Sequence, residues 1–315
     1  MKKEIILIKW SSFNFKFEHC LSELSDVELK TSLITHHKSW FSKNRNHFKE
    51  LVHLIKQFLP LMYHSLNSNV VVFGTNACRI MYLSALFNKK IVLIINEMPE
   101  RTYILERFFL RRLRRRVFLS NESRLEYIEK LIGGGVGGVI PNIPLCFDIS
   151  EMDEKIESKV IYAGLINKSR LSADVFDKIE NTSYSLDLMG PIVEDNMDVC
   201  KSTYLGVFSQ VESQKIQRKY RFGLLSYSIK DVNNNLCAPI KVYEYINNGC
   251  VCILVNDNEG LIGFSRKYRS LFVRLEELHE YVFDKNLFEK ERAEFFCNEN
   301  KVLLKSIERI NDCFD

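Results

Sequence analysis

The residues of this chain best suited to chemistry lie toward its C-terminal end. They sit in the run Asn235-Leu-Cys-Ala-Pro239-Ile-Lys241-Val-Tyr-Glu244-Tyr-Ile-Asn-Asn248, followed by Gly249 and the apolar stretch Cys250–Val255. Pro239 suits the first turn of a helix, where its missing N–H would be unpaired anyway. Ile240, Tyr243 and Ile246 recur at helical spacing and predict a buried stripe, which leaves Lys241, Glu244 and Asn248 along another face. Gly249 stops the helix, and Cys250–Val255 reads as a buried parallel strand. A charged pair held at a helix start beside a parallel sheet can grip a diphosphate and a ribose. The same segment also fits an ordinary helix–strand unit with a solvated lysine and glutamate.

Other candidates lie at the ends of apolar runs. Gly164-Leu-Ile-Asn-Lys168-Ser-Arg170 follows the run Val160–Ala163, and two cations there would stabilise charge developing on a leaving phosphate. A solvated basic loop is the alternative. Glu97 follows the buried run Ile91–Ile95 and so falls at a strand's carboxyl end, as a group that orients a substrate or as a helix-capping partner. Glu18 and His19 follow the first strand and are further candidates for a base. The run Gly133–Gly138 opens a strand instead of a helix, the reverse of a phosphate-binding glycine loop, and reads as a flexible connection. Arg111, Arg112, Arg114, Arg115 and Arg116 end a helical stretch that includes Phe108, Phe109 and Leu113. Such a basic amphipathic patch suits an anionic membrane surface, or is a solvated helix face with cations favourably placed at its C-terminus.

These residues need a framework, and the alternation of strand and helix signals supplies one of the α/β class. The predicted strands of the first half are Ile5–Ile8, Leu29–Ile34, Val70–Phe73, Ile91–Ile95, Val117–Leu119 and Gly138–Ile140. Those of the second are Val160–Gly164, Leu186–Met189, Thr203–Leu205, Phe222–Leu225, Cys250–Val255 and Leu271–Val273. A helix is expected over Asn46–Leu59, kinked or ended by Pro60, and another from Leu287 to Cys313. Pro141-Asn142-Ile-Pro144 and the polar stretch Asp148–Lys159 form the best linker, dividing the 315 residues into domains 1–148 and 149–315. Two doubly wound halves place a ligand at the carboxyl ends of their strands, in the cleft between them. A net charge of +4 does not call for nucleic acid as a partner. The nine cysteines show no zinc-ligand spacing and read as reduced. No apolar run is long enough to span a bilayer, so the expectation is a cytoplasmic protein, peripheral at most to the inner face of the cytoplasmic membrane.

The segment Pro-x-Lys-x-x-Glu-Tyr at 239–245, closed by Gly249, resembles the donor-site signature of GT-B glycosyltransferases, in particular the retaining bacterial group 1 (family 4) type. The resemblance extends along most of the chain. It implies two Rossmann-like domains facing each other across a cleft, the C-terminal helix packing back across, with the acceptor in the first and the nucleotide-sugar donor in the second. Tyr204-Leu-Gly206-Val-Phe208 resembles the segment whose backbone meets the donor base, Gly206 allowing close approach and Phe208 walling the pocket. Gly164, Lys168, Arg170 and Lys241 are implied diphosphate ligands, Pro239 opens the donor helix, and Glu244 would hold the ribose. Asn96-Glu97 stands where the family has His-Glu. Leu236 stands where many retaining members carry a first glutamate, leaving Asn234 and Asn235 to meet sugar hydroxyls.

The resemblance implies a metal-independent hexosyltransferase with no cofactor beyond a UDP- or GDP-sugar. The acceptor would be a glycan or lipid-linked glycan in surface-polysaccharide assembly. Glu97, His19 and Glu18 are the catalytic candidates if the reaction inverts. A catalytically silent partner subunit of the same fold, or a sugar-nucleotide epimerase, are the rival readings, and the sequence leaves the oligomeric state open.

Overall fold

The computed structural model describes residues 3–9, 15–23, 27–33, 52, 56–57, 59–63, 65–98, 104–144, 155–193 and 202–315. They form two compact units, Met1–Pro141 with Lys301–Asp315, and Asn142–Asn300.

The first unit is built on β1 (Lys3–Lys9), β2 (Val27–Leu33), β3 (Asn69–Phe73), β4 (Ile91–Ile95), β5 (Val117–Leu119) and β6 (Gly138–Val139), ordered β2-β1-β3-β4-β5-β6. Every pairing is parallel. Val70–Val72 and Ile91–Ile94 are wholly buried, as strands covered on both faces must be, which is why they read as unbroken apolar runs. The helices are α1 (Lys16–Ser22), α2 (Thr75–Phe87), α3 (Ile104–Leu113) and α4 (Glu122–Ile132). Asn121 caps α4 by accepting from the Arg124 N–H, and Gly133, in the left-handed region at φ 87°, ends it. The glycine run is therefore the α4–β6 connection. Most of the predicted helix Asn46–Leu59 lies outside the described residues; those described within it are helical, and the helix continues past Pro60 to residue 63.

In the second unit β7 (Ile156–Ala163), β8 (Ser185–Met189), β9 (Ser202–Gly206), β10 (Tyr220–Leu225), β11 (Val251–Leu254) and β12 (Phe272–Arg274) are ordered β12-β11-β10-β7-β8-β9. β7 begins within the stretch read as linker. α5 (Ala173–Glu180), α6 (Gln210–Gln217), α7 (Val232–Asn235), α8 (Ile240–Asn247), α9 (Glu259–Lys267) and α10 (Lys285–Asp312) complete the chain. The last turns of α10, from Lys301, belong to the first unit. There Lys3 pairs with Asp315 at 2.6 Å and Arg309 donates to the Gly137 carbonyl at 2.7 Å.

All twelve predicted strands are present, and both sheets are doubly wound. The order reverses between β1 and β3 in one unit and between β7 and β10 in the other. The crevice outside the carboxyl ends of strands at such a reversal is where open α/β sheets bind ligands. Cys78, Cys250 and Cys252 are fully buried, and burial pushes the Cys250 thiol up to about 11, so these cysteines pack as small hydrophobes. No helix among the described residues is long and apolar enough to cross a membrane.

Candidate functional site

At the reversal point of the second sheet, side chains from four segments meet. The turn after β7 brings Arg170 over the ring of Tyr227, which follows β10, with the guanidinium carbon 5.1 Å from the ring centroid. The Ser226 hydroxyl donates to the Arg170 carbonyl and ties the two loops. Burial raises the Tyr227 and Tyr162 hydroxyls above their ordinary range, so both stay neutral beside the cation. The charges of Arg170 and Glu244 also act on Tyr227, which joins these loops to α8.

On α8 the predicted stripe changes. Tyr243 and Ile246 are buried and Ile240 is half-buried, but Val242, Glu244, Tyr245 and Asn247 are buried as well. Glu244 is not on a solvated face: it is 2% exposed and accepts from the Lys241 ammonium at 2.5 Å. Pro239 is the N-cap and not the first helical residue, with ψ 155°. A proline there provides no side-chain cap; the Val242 N–H turns back to the Pro239 carbonyl at 3.0 Å, which leaves the Ile240 and Lys241 N–H groups at the helix start. Asn142 donates to the Ala238 carbonyl at 3.1 Å and holds the entry to this helix.

Tyr245 is the residue that spacing did not reveal. Its ring lies against Gly223 of β10, where a Cβ would come within 2.5 Å of it, and its hydroxyl accepts from the Ala163 N–H at 2.9 Å. It thus pins α8 across β7 and β10 and sets the position of Glu244. Its place at the end of the Pro-x-Lys-x-x-Glu-Tyr run and a glycine inside the apolar strand Phe222–Leu225 are its sequence signals.

The three neighbouring strand ends are knitted through glycines. The Gly190 N–H donates to the Gly206 carbonyl at 2.9 Å, and Gly190, at φ 133°, lies so close to Gly164 that a Cβ would be 2.0 Å from its carbonyl oxygen. Gly164 and Gly206 are thus brought onto one edge. Phe208 is exposed, with its ring 3.9 Å from where a Gly206 Cβ would sit. Lys168 is exposed in the turn before Arg170. The asparagines are used differently from expectation. Asn234 donates to the capping carboxylate of Asp231 at 3.4 Å, while Asn235 donates to Glu259 at 3.0 Å and accepts from its N–H at 3.2 Å, so it caps α9.

In the first unit Lys9, at the end of β1, pairs with Glu18 at 2.7 Å, and Glu18 also accepts from the Phe15 N–H at 3.2 Å. His19 is exposed and lies 3.1 Å from Glu23. Glu97 is exposed at the end of β4. Its backbone is fixed: the Thr75 hydroxyl donates to the Glu97 carbonyl at 2.6 Å and accepts from its N–H at 3.0 Å. Asn96 accepts from the Thr75 N–H at 3.2 Å and so caps α2. Arg124, 1% exposed, donates to the Asn96 carbonyl and to Ser120 Oγ at 2.5 Å, holding the same turn from below. Nothing local in the sequence betrays its burial.

The arginine run divides. Arg111, Arg112 and Arg115 are exposed and Arg114 half-buried. Arg116 donates to the Asn88 and Ala85 carbonyls at 2.7 and 2.8 Å and holds the C-terminus of α2, so it leaves the predicted surface patch. Phe109 and Leu113 are buried and leave it too.

No protein-family model matches the chain. No curated protein matches it. Solved structures match in shape. AviGT4, a glycosyltransferase involved in avilamycin A biosynthesis, is 10% identical with a TM-score of 0.60, over 99% of this chain and 98% of that one. The α,α-trehalose-phosphate synthase (UDP-forming) of Burkholderia vietnamiensis is 9% identical with a TM-score of 0.59, over 99% and 98%. HepE of Anabaena, in complex with UDP and glucose, is 9% identical with a TM-score of 0.57, over 98% of each chain. The fold of this chain, two six-stranded parallel sheets with surrounding helices, is that of these GT-B glycosyltransferases.

Proposed function

We propose that this chain is a glycosyltransferase of the retaining group 1 type. It would move a hexosyl group from a UDP- or GDP-sugar to a hydroxyl of a glycan or lipid-linked glycan, in bacterial surface-polysaccharide assembly. The observation that carries this reading is the cluster at the second sheet's reversal point: Arg170 over Tyr227, the buried Glu244 carboxylate paired with the half-buried Lys241, and the open start of α8. Such an edge suits a diphosphate at the cations and helix start, with a ribose at the carboxylate. The named ligands of the fold neighbours, UDP and UDP-glucose, support a uridine donor.

In the reaction the acceptor oxygen bonds to the anomeric carbon while the bond from that carbon to the β-phosphate oxygen breaks. The electron pair leaves with the nucleoside diphosphate. Arg170, Lys168 and Lys241 would stabilise that charge, which lets the transfer proceed without a metal. In a retaining reaction the departing phosphate takes the acceptor proton. An inverting one would use Glu97 or His19, both exposed; Glu18 suits the task less because Lys9 already holds it.

A second reading, a donor-binding subunit without turnover, is favoured by one observation. Leu236 is buried, the Asn234 and Asn235 side chains are taken up by Asp231 and Glu259, and the Asp231 carboxylate is engaged as the cap of α7, so no glutamate stands where the resemblance would place the first one. Thermal shift across UDP, GDP, ADP and TDP, followed by donor hydrolysis or transfer with the best binder, separates these. Stabilisation rises with occupancy of a site present only in the folded state. Uridine or guanosine diphosphate should raise the melting temperature, and the Arg170→Ala variant should lose the shift. No shift with any nucleotide removes the proposal, and a shift without turnover leaves the silent subunit.

A further inference from the structure

Among the described residues the two sheets have four edge strands, and three of them are blunted. β2 bears the exposed Glu28 and Lys30, the latter paired with Glu4 at 2.7 Å. β6 is two residues long, and Arg309 donates to the Gly137 carbonyl just before it. β12 is three residues long and ends in the exposed Arg274. Charge and shortness of this kind keep an edge from recruiting another strand. β9 has neither. It is five residues long, Ser-Thr-Tyr-Leu-Gly, and the uncharged run continues through Val207, Phe208, Ser209 and Gln210 to Val211.

β9 is also uncovered. Strands of a parallel sheet are ordinarily buried on both faces, yet Thr203 and Tyr204 are exposed and no residue of β9 is buried. α6, which follows it, packs over β7 and β10 instead. The Tyr204 hydroxyl donates to the Gly190 carbonyl at 3.0 Å, so the exposed ring is held in one position. Val207 (64% exposed) and Val211 (54%) extend the apolar surface past the strand. An open edge beside exposed apolar groups is a template for a further strand. The strand that fits is β9 of a second copy. Turned about a twofold axis at Tyr204, β9 meets itself antiparallel, with Thr203 opposite Leu205, Ser202 opposite Gly206 and the two Tyr204 rings as a cross-strand pair. No charge in the strand then meets a like charge, whereas the same operation on β2 at Lys30 sets lysine against lysine. We infer that this chain forms a homodimer by antiparallel pairing of β9 with β9, which joins the second sheets of two copies into one. This goes beyond the donor reading and does not rest on it.

The test is sedimentation velocity of the full chain at low salt over a range of protein concentrations, for the parent, for Thr203→Lys, for Thr203→Glu and for an equimolar mixture of the two variants. Thr203 is exposed, so both variants should keep the parent's circular dichroism and melting temperature. The parent should show a concentration-dependent dimer. Across the twofold axis the two copies of position 203 are diagonal neighbours on one face, within reach of each other's long side chains. Two lysines or two glutamates there should weaken dimerisation by about fivefold, the scale of one cross-strand contact between like charges. The mixture, which sets lysine beside glutamate, should return to the parent's affinity. A parent that stays monomeric at every concentration overturns the inference. So does a dimer that both variants leave intact, because it would form through another surface. A mixture as weak as its components overturns it too, because β9 would then not meet its own copy about a twofold axis. None of these readouts depends on a nucleotide sugar, so they stand whatever the fate of the donor site.

Discussion

The carboxyl edges of the two sheets use their charged groups in different ways. In the second unit Glu244 is buried with Lys241 as its partner, Arg170 lies against a neutral tyrosine, and Tyr245 locks the helix that carries the pair. The charges are fixed before any ligand arrives, which is what electrostatic catalysis requires. In the first unit the buried charges, Lys9 with Glu18 and Arg124 with backbone, serve the framework, and the carboxylate at the tip of β4, Glu97, stands exposed. One edge presents charges held in place, suited to an anionic ligand such as a diphosphate. The other leaves its terminal carboxylate exposed to solvent.

The variant expected to break this contrast most severely is Gly190→Ala. A Cβ 2.0 Å from the Gly164 carbonyl oxygen, at φ 133°, forces the β7 and β8 ends apart. A loss of about 3 kcal/mol or more is expected, the range of clashes with no room to relax. Gly263→Ala, inside α9 with nothing within 4 Å of its Cβ, should melt at or slightly above the parent's temperature and serves as the control. If Gly190→Ala also melts with the parent in a thermal scan, the strand ends are not knitted as described.

Next come the charged groups of the second edge. Arg170→Ala and Lys241→Ala should each lower kcat for transfer by about 10²-fold, the scale for removing one preorganised charge from a leaving group. Glu244→Ala should lower kcat/KM for the donor by at least ~10-fold, as loss of a charge-assisted hydrogen bond does. Steady-state kinetics with varied donor would show this. Near-full activity in both cation variants would put the phosphate site elsewhere.

A smaller effect is expected from Tyr245→Phe, which leaves the buried Ala163 N–H without its 2.9 Å acceptor and should cost about 1–3 kcal/mol in denaturant unfolding. If Tyr245 positions Glu244, donor KM should rise as well, which a purely structural loss would not cause. The smallest stability effects belong to Glu97→Gln and His19→Ala, both exposed, at within ~0.5 kcal/mol. Their kinetics sharpen the comparison. A retaining reaction leaves single-turnover rates within a few-fold of the parent, whereas a base in an inverting one would cost at least ~10². A large loss at Glu97 with donor binding intact would overturn the retaining assignment.

The strands were legible because each is an apolar run covered on both faces, so the pattern needs no partner to be seen. Helix ends set by local chemistry were legible as well: Gly133 ends α4, and Gly249, at φ 73°, follows α8. Periodicity misjudged α8, because a helix buried nearly all round shows no polar face to mark Glu244 as inside. The arginine run misled in a similar way. Arg114, Arg115 and Arg116 look alike in sequence, yet Arg116 alone is used to close the end of α2, 31 residues earlier at Ala85.

By itself the sequence determined what depends on near neighbours: which segments are strands, where the helices between them end, and which residue types reach the strand ends. Tertiary structure alone decided which of those residues meet. The Tyr245 hydroxyl finds the Ala163 N–H across 82 residues, Asn235 caps a helix that begins 24 residues later, and Arg170 reaches Tyr227 only because β7 and β10 are adjacent in the sheet. Strand order makes those neighbours. It is set by how the crossover helices pack, and no spacing along the chain records it.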